Sequence, residues 1–220
     1  MDFWTFSTAA FLQNDREEGW KQALSSVGIG YGDVTPGPHF HGIVAAVSSA
    51  SETDYVYLSL PAQTLTHQKV NRDKALLLLV IEGRGEYRAP GMEPVAIMSG
   101  DFLFGAPTHD SVFQFEDDSR VIIVRLSRAL VLSRLLAPIP DVLQPISGES
   151  ALAAVFGDML TSLSSKLDSV EPDQFKTIET ALAEFLVANL LGDGDVQTLG
   201  GITGRRAGLL HRISQTIERR

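Results

Sequence analysis

The spacing of apolar residues divides the chain into a β-rich part and a helical part. From residue 40 to residue 126, short apolar or alternating runs are separated by turn residues, which is typical of a β-sandwich or a small barrel. The alternation is clear where Phe113 and Phe115 flank Gln114. The pattern predicts nine strands, at residues 41–48, 54–60, 63–69, 76–82, 85–89, 94–98, 102–105, 111–116 and 120–126.

Two details sharpen this prediction. The sequence Gly83-Arg84-Gly85 separates two of the strands and predicts a hairpin turn between them. The run at residues 76–81 is apolar throughout. A strand without polar alternation is usually covered on both faces, so we expect a second layer of structure on each side of it.

Beyond Leu126 the apolar period becomes helical. It predicts a short helix at residues 130–136 and two longer helices at residues 149–167 and 172–191, which together form a hairpin. Pro172 suits a first helical turn, and Gly192 ends the second long helix. Another helix is predicted near the N-terminus, at residues 15–24.

Each long helix carries an apolar stripe. Because two helices beside a finished barrel have little else to cover them, we predict that the stripes form a dimer interface. The residues assigned to it are Leu152, Phe156, Met159, Leu163, Phe175, Ile178, Leu182 and Phe185. The alternative is that these residues form a core within one chain.

The charge is unevenly distributed. The chain has 18 Lys and Arg against 27 Asp and Glu, a net charge of -9, which disfavours binding to nucleic acid along most of its length. The last 16 residues, 205–220, nevertheless hold five arginines and one glutamate. A glycine-rich stretch at residues 193–204 precedes them and predicts a flexible linker.

Composition also excludes several kinds of chemistry. The chain has no cysteine, so it has no disulfide, thiolate nucleophile or iron–sulfur cluster. Its longest strongly apolar run, at residues 75–81, is too short to cross a bilayer, and the N-terminus lacks the basic start of a signal peptide. We therefore expect a cytoplasmic protein without a membrane partner.

The histidines offer the main alternative function. His39 and His41, together with His67 and His109, suggest a cupin-type metal site that supports a metal-dependent small-molecule enzyme. No glutamate follows His41 before Glu52, however, so the usual carboxylate ligand is missing. No nucleophile or phosphate-binding motif is present either. We therefore predict no catalytic residue, no metal and no cofactor.

The barrel interior is the remaining place for a binding site. If Phe113 and Phe115 point inward, aromatic residues on another strand have the spacing to line the same space, and a few polar residues would orient a ligand there. The predicted ligand-binding residues are Tyr57, His67, Phe102, Phe104, His109, Phe113 and Phe115. The alternative is that the aromatic side chains simply fill the core.

Several segments, taken together, carry a family resemblance. They are residues 3–9 (FWTFSTA), 15–17 (DRE), 20–24 (WKQAL), 40–42 (FHG), 81–85 (IEGRG), 98–104 (MSGDFLF), 124–130 (VRLSRAL) and 209–218 (LLHRISQTIE). In this order they resemble the AraC/XylS family of transcription regulators. The chain departs from the family pattern where Met98 and Ser127 replace proline and where Gly105 replaces an aspartate.

The resemblance implies an α+β fold, a cupin-like small β-barrel followed by an α-helical dimerisation hairpin. It implies an N-terminal arm and effector-binding barrel at residues 1–146, the hairpin at 147–192, the linker at 193–204, and at 205–220 the start of a helix-turn-helix DNA-binding domain that is cut off within its first helix. The partners would then be a small organic effector, a second copy of the chain, and DNA only through the mostly absent C-terminal domain.

Overall fold

A computed structural model describes residues 2–32, 36–37, 39–49, 53–67, 73–135, 137–146 and 148–192. The predicted linker at 193–204 and the basic segment at 205–220 lie outside the described residues. The strands are β1 (Asp2–Ser7), β2 (Ile29–Tyr31), β3 (Ile43–Ser48), β4 (Asp54–Leu60), β5 (Gln63–His67), β6 (Lys74–Glu82), β7 (Arg84–Arg88), β8 (Val95–Met98), β9 (Phe102–Gly105), β10 (Ser111–Phe115), β11 (Ser119–Ser127) and β12 (Gln144–Ile146). The helices are α1 (Arg16–Ser26), α2 (Arg128–Leu132), α3 (Ala151–Ser164) and α4 (Pro172–Gly192).

The strands form two antiparallel sheets that face each other as a cupin-like barrel, so the predicted α+β fold is confirmed. The large sheet has the order β1-β3-β4-β11-β6-β9-β12, and the small sheet has the order β2-β5-β10-β7-β8. Most connections along the chain pass from one sheet to the other, whereas β3–β4 and β7–β8 pair within one sheet. This crossing joins the two layers closely.

The Gly83-Arg84-Gly85 turn illustrates the crossing. The predicted hairpin is wrong, because β6 belongs to the large sheet and β7 to the small one, and the two strands do not pair. Gly83 forms the corner with a φ of +99°, a backbone conformation that is strained for a residue with a side chain. A Cβ at this position would also lie only 2.1 Å from Ser119 Oγ. The segment is thus a corner between sheets.

The large sheet is covered on both faces, as predicted from its apolar central strand. Leu76 and Leu78 of β6 face the barrel interior, where they belong to the inner core between the two sheets. Leu77 and Leu79 face the other way into the outer core, which lies between the large sheet and helices α2, α3 and α4. The helical hairpin therefore closes the back of the barrel.

All nine predicted strands and the four predicted helices are confirmed within the described residues, with shifts at their ends; residues 68–69 of the strand predicted at 63–69 and residue 136 of the first helix after the barrel lie outside those residues. Three further strands, β1, β2 and β12, were not predicted. Each lies at the edge of a sheet. The N-terminal segment adds β1 to the large sheet, in register with β3 from Asp2 opposite Ser48 to Ser7 opposite Ile43.

Candidate ligand-binding site

A narrow cavity lies between the inner faces of the two sheets. Its walls are apolar apart from one imidazole and are formed by Ile29, Leu58, Leu65, His67, Leu78, Phe113, Phe115, Val121 and Ile123. The space open to the centre of a water-sized sphere is about 10 Å³, close to the minimum for one water molecule. This cavity is therefore nearly closed, and an organic molecule that entered it would have to move its walls apart.

His67 is the polar group of this cavity. It ends β5, pairs with Ser111 of β10 and Ile29 of β2, and is 3% exposed. Neither ring nitrogen finds a hydrogen-bond partner among the described residues, although buried polar atoms nearly always have one. Burial is the main reason that the pKa of His67 falls from 6.5 to about 4. The positive charge of Arg125 lowers this pKa further, and the negative charge of Asp110 raises it. The neutral imidazole keeps one unused donor and one unused acceptor.

Arg125 lies on the same strand as the cavity-lining Val121 and Ile123, beyond the residues that line the cavity itself. It follows Val121 and Ile123 at alternate positions of β11, so it faces the barrel interior as they do. Its Nη2 donates to the carbonyl oxygen of Val27, 2.6 Å away, at the C-terminal end of α1. Burial lowers the pKa of Arg125, but a guanidinium remains charged at pH 7. This residue was not among the predicted site residues.

A separate ion pair sets the charge balance beside Arg125. Lys74 Nζ lies 2.8 Å from Asp54 Oδ2, and Ser48 Oγ donates to Asp54 Oδ1 over 2.9 Å. Asp54 is opposite Arg125 in the β4–β11 ladder, and its charge raises the pKa of Arg125. Because Lys74 already neutralises this carboxylate, Arg125 brings an additional positive charge, and it forms no ion pair of its own within the described residues.

The other end of the interior is closed by polar contacts. Trp20 of α1 donates from Nε1 to Gln63 Oε1 over 3.0 Å, and both residues are fully buried. The backbone N–H of Leu143 donates to the Tyr87 hydroxyl over 3.3 Å. These contacts tie helix α1 and the segment before β12 to the small sheet. Gln63 Nε2 has no hydrogen-bond partner among the described residues, but Gln63 does not line the cavity, whereas His67 does.

The structure divides the predicted ligand-binding residues into two groups. His67, Phe113 and Phe115 line the cavity. Tyr57, Phe102 and Phe104 face the opposite side of the large sheet and pack in the outer core, so their predicted place in the barrel interior is wrong. His109 is exposed and contacts Thr108 through Nδ1 over 3.0 Å, so it does not reach the cavity either.

The histidines do not converge on a metal site. His39 is exposed and contacts the Gln13 side chain, His41 and His109 are exposed, and His67 is buried in the barrel. Within the ranges that the structure describes, no group of three or more His, Asp or Glu side chains could hold a metal ion. The geometry therefore does not favour the metal-dependent enzyme. None of the described helices is long and apolar enough to cross a membrane.

Comparison with known protein families identifies the fold. The profile of the AraC-binding-like domain matches residues 33–191. The chain belongs to this family. A search of curated proteins finds no match.

A solved structure agrees with the AraC-binding-like fold. The chain is similar to a protein described as the AraC-like transcriptional activator CuxR, with a TM-score of 0.65 and 13% identity over 86% of this chain and 70% of that one. Partial overlaps include an RmlC-like cupin from Desulfovibrio desulfuricans (TM-score 0.32, 21% identity, 36% of this chain and 76% of that one). Another is ectoine synthase from P. lautus (TM-score 0.33, 16% identity, 48% and 76%). At these identities the likeness concerns the fold alone.

The hairpin of this AraC-binding-like domain packs mainly on its own barrel. Of the residues predicted for dimerisation, four are buried in the outer core and one is exposed; Phe156, Leu163, Phe175 and Leu182 are the buried ones, and Leu152 is the exposed one. Met159, Ile178 and Phe185 are partly buried against the same core. The expectation that little else covers the helices is wrong, because the large sheet covers their apolar stripes. A dimer surface would have to lie on the outward side.

Two polar contacts join the barrel of the AraC-binding-like domain to the hairpin. The buried Glu179 of α4 accepts a hydrogen bond from Ser49 Oγ, directly after β3, and Ser49 Oγ also accepts from the backbone N–H of Thr53 over 3.1 Å. The Tyr55 hydroxyl of β4 donates to the Leu160 carbonyl of α3. These contacts lie next to Asp54, so the hairpin is held by the strands that carry the polar end of the cavity.

Proposed function

We propose that this AraC-binding-like domain binds a small organic effector inside its barrel and passes the binding signal through the helical hairpin to a C-terminal DNA-binding region. The observation that carries the proposal is the pair of buried ring nitrogens of His67, which have no hydrogen-bond partner among the described residues and lie at the wall of an otherwise apolar cavity. Leaving such atoms without partners costs free energy. A ligand that supplies the partners would recover that cost.

The nearly closed cavity is consistent with this role. A binding site that exists only when its walls separate couples ligand binding to a change of shape, because the ligand stabilises the open arrangement alone. The walls include Leu58 of β4, and the same strand carries Tyr55, which holds α3. Movement of this wall would therefore reach the hairpin directly.

Dimerisation through the outward side of the hairpin forms the second part of the proposal. Leu152 and Val155, one helical turn apart on α3, are 36% and 53% exposed, and Met159 continues the row. Leu152 and Val155 form an exposed apolar strip, and Met159 lies partly buried at its end. In a dimer built on this strip, a signal that moves the hairpin would alter the spacing of two DNA-binding regions.

Native mass spectrometry of the purified protein tests the proposal, because one spectrum reports both the number of subunits and any retained organic molecule. Phe115→Trp adds bulk to the cavity wall, and Phe11→Trp makes the same change at an exposed position. We expect a dimer that carries an organic adduct, with the adduct kept in Phe11→Trp and lost in Phe115→Trp.

Two results would contradict the proposal. One is equal retention of the adduct by Phe115→Trp and the wild type, which would place the ligand outside the barrel. The other is a protein without an adduct that also shows no rise in melting temperature with any member of a broad panel of sugars, organic acids and aromatic compounds.

A further inference from the structure

We infer, as an extension that rests on the proposed function, that the effector is an organic monocarboxylate whose carboxylate is held by Arg125 and His67 and whose apolar body fills the barrel interior. Arg125 donates to the carbonyl oxygen of Val27, and His67 pairs with Ile29 two residues further along the chain, so the end of α1 and β2 bring the two side chains to the same end of the barrel. The inference concerns the class of ligand, which the barrel fold alone does not determine.

The first support is the unused hydrogen-bonding capacity of this pair. A guanidinium has five N–H donors in a planar fork that matches a carboxylate. Arg125 uses one nitrogen, Nη2, for the Val27 carbonyl. The neighbouring imidazole of His67 uses neither of its nitrogens within the described part of the chain. One carboxylate can accept from both side chains at once.

The second support is the charge at this end of the barrel. The Lys74 ammonium is matched by the Asp54 carboxylate 2.8 Å away. Arg125 adds a positive charge with no ion-pair partner among the described residues, and a partly buried cation in this condition is costly. Asp110 already contributes a negative charge that acts on His67, so one further negative charge is enough to pair with Arg125. This favours a monoanion over an uncharged sugar or a multiply charged phosphate.

The third support is the chemistry of the remaining walls. Apart from His67, the cavity is lined only by aliphatic and aromatic side chains, among them Leu65, Leu78 and Phe113. These offer no hydrogen bonds to the hydroxyl groups of a sugar. They match an alkyl chain or an aromatic ring that points away from Arg125 into the interior. An amphipathic acid thus fits both the polar end and the apolar walls.

Binding of hexanoate and phenylacetate, each compared with its uncharged primary amide, tests this inference. The readouts are titration calorimetry and NMR signals of the Arg125 Nε–H group and the His67 ring nitrogens. We expect at least one acid to bind about tenfold or more tightly than its amide. The same acid should shift the signals of both side chains.

Three variants separate ligand binding from structure. Arg125→Gln removes the charge, Arg125→Lys keeps it without the planar fork, and Arg120→Gln is the matched control on the exposed end of the same strand. We expect Arg125→Gln to lose the preference for acid over amide, Arg125→Lys to keep part of it, and Arg120→Gln to behave as the wild type. Melting temperatures show whether each variant is folded.

A purely structural role for Arg125, as a cap of α1 through Val27, gives a different result. In that case Arg125→Gln would lower the melting temperature and the folded fraction would keep the wild-type affinities, which overturns the inference. Equal binding of acids and amides by the wild type, or no binding of either acid at millimolar concentration, also overturns it. A neutral adduct in the native mass spectrum would leave the proposed function intact while refuting the carboxylate.

Discussion

The two cores on either side of the large sheet are built differently. The outer core contains stacked aromatic rings: Phe102 and Phe156 lie 5.5 Å apart with a 5° angle between ring planes, and Phe156 and Phe185 lie 5.9 Å apart at 6°. The inner core holds a small cavity and the unpartnered nitrogens of His67. Stacked rings thus characterise the outer core, whereas the inner core contains ring nitrogens without hydrogen-bond partners among the described residues.

Under the proposed function, this difference assigns stability to one side of the large sheet and binding to the other. Aromatic packing and the Tyr55–Leu160 hydrogen bond fix the hairpin to the back of the barrel. The inner side keeps buried polar atoms without partners among the described residues, which lower stability. In the proposed function, a ligand would supply these partners, and the wall shared by both cores would connect the ligand to the hairpin.

Removing a ring from the outer core should have the largest effect. Phe156→Ala leaves a cavity between the sheet and the hairpin, and we expect it to lower the free energy of unfolding by about 3–5 kcal/mol. Leu152→Ala, at an exposed position on the same helix, should cost less than about 1 kcal/mol. Chemical denaturation measures both. Similar losses for the two variants would show that packing in the outer core does not fix the hairpin to the barrel.

The inner core should respond to pH through His67. Its pKa of about 4 in the folded chain lies below the ordinary value of 6.5, so the unfolded chain binds a proton more readily between these two values. The stabilising contribution is complete above pH 6.5 and is lost as the pH falls towards 4. The loss is on the order of 3 kcal/mol.

His67→Leu removes this titration and the unpartnered nitrogens. We expect the variant to be at least as stable as the wild type at pH 7 and less sensitive to acid between pH 6.5 and 4, as followed by urea denaturation across this range. His109→Gln, at an exposed histidine, serves as the control. Parallel pH profiles for wild type and His67→Leu would show that the imidazole is not buried in the folded protein.

The contact between the two regions should have an intermediate effect. Glu179→Gln weakens the hydrogen bond from Ser49, and we expect a loss of about 1–3 kcal/mol because the acceptor is charged and buried. Glu184 is also on α4 and forms an ion pair with Arg134 at the surface. Glu184→Gln removes its charge, which should cost less than about 1 kcal/mol. Equal losses in denaturation experiments would argue against coupling through Glu179.

The smallest effect on stability should come from the outward side of the hairpin. Val155→Asp changes an exposed residue of α3, and we expect the free energy of unfolding of the subunit to change by less than about 0.5 kcal/mol. A charge in an apolar interface should nevertheless abolish the proposed dimer. Sedimentation velocity measures the oligomeric state. A dimer that persists in Val155→Asp would place its interface elsewhere.

The sequence predicts most of the strands and all four helices because apolar periodicity reports burial directly. It does not predict β1, β2 and β12, which are edge strands with little alternation, and β12 contains Pro145, which edge strands tolerate. These segments become strands through the neighbours that they pair with. Their own residues give only a weak signal.

The candidate site is predicted only in part for a related reason. Both faces of the large sheet are buried, so alternation cannot show which face Phe102 and Phe104 occupy. The structure places them between the large sheet and the helical hairpin. Arg125 could have been found by continuing the inward positions of Val121 and Ile123 along β11. A charged residue at an inward position is the signal that sequence reasoning missed.

Methyl NMR spectra under xenon pressure test most directly whether the inner core opens while the outer core stays closed. Xenon enters dry apolar space regardless of the chemistry of the effector. We expect the methyl signals of Leu65 and Leu78 at the cavity to shift while those of Leu160 and Leu186 in the outer core do not. Shifts in the outer core alone, or equal shifts in both, would contradict the account.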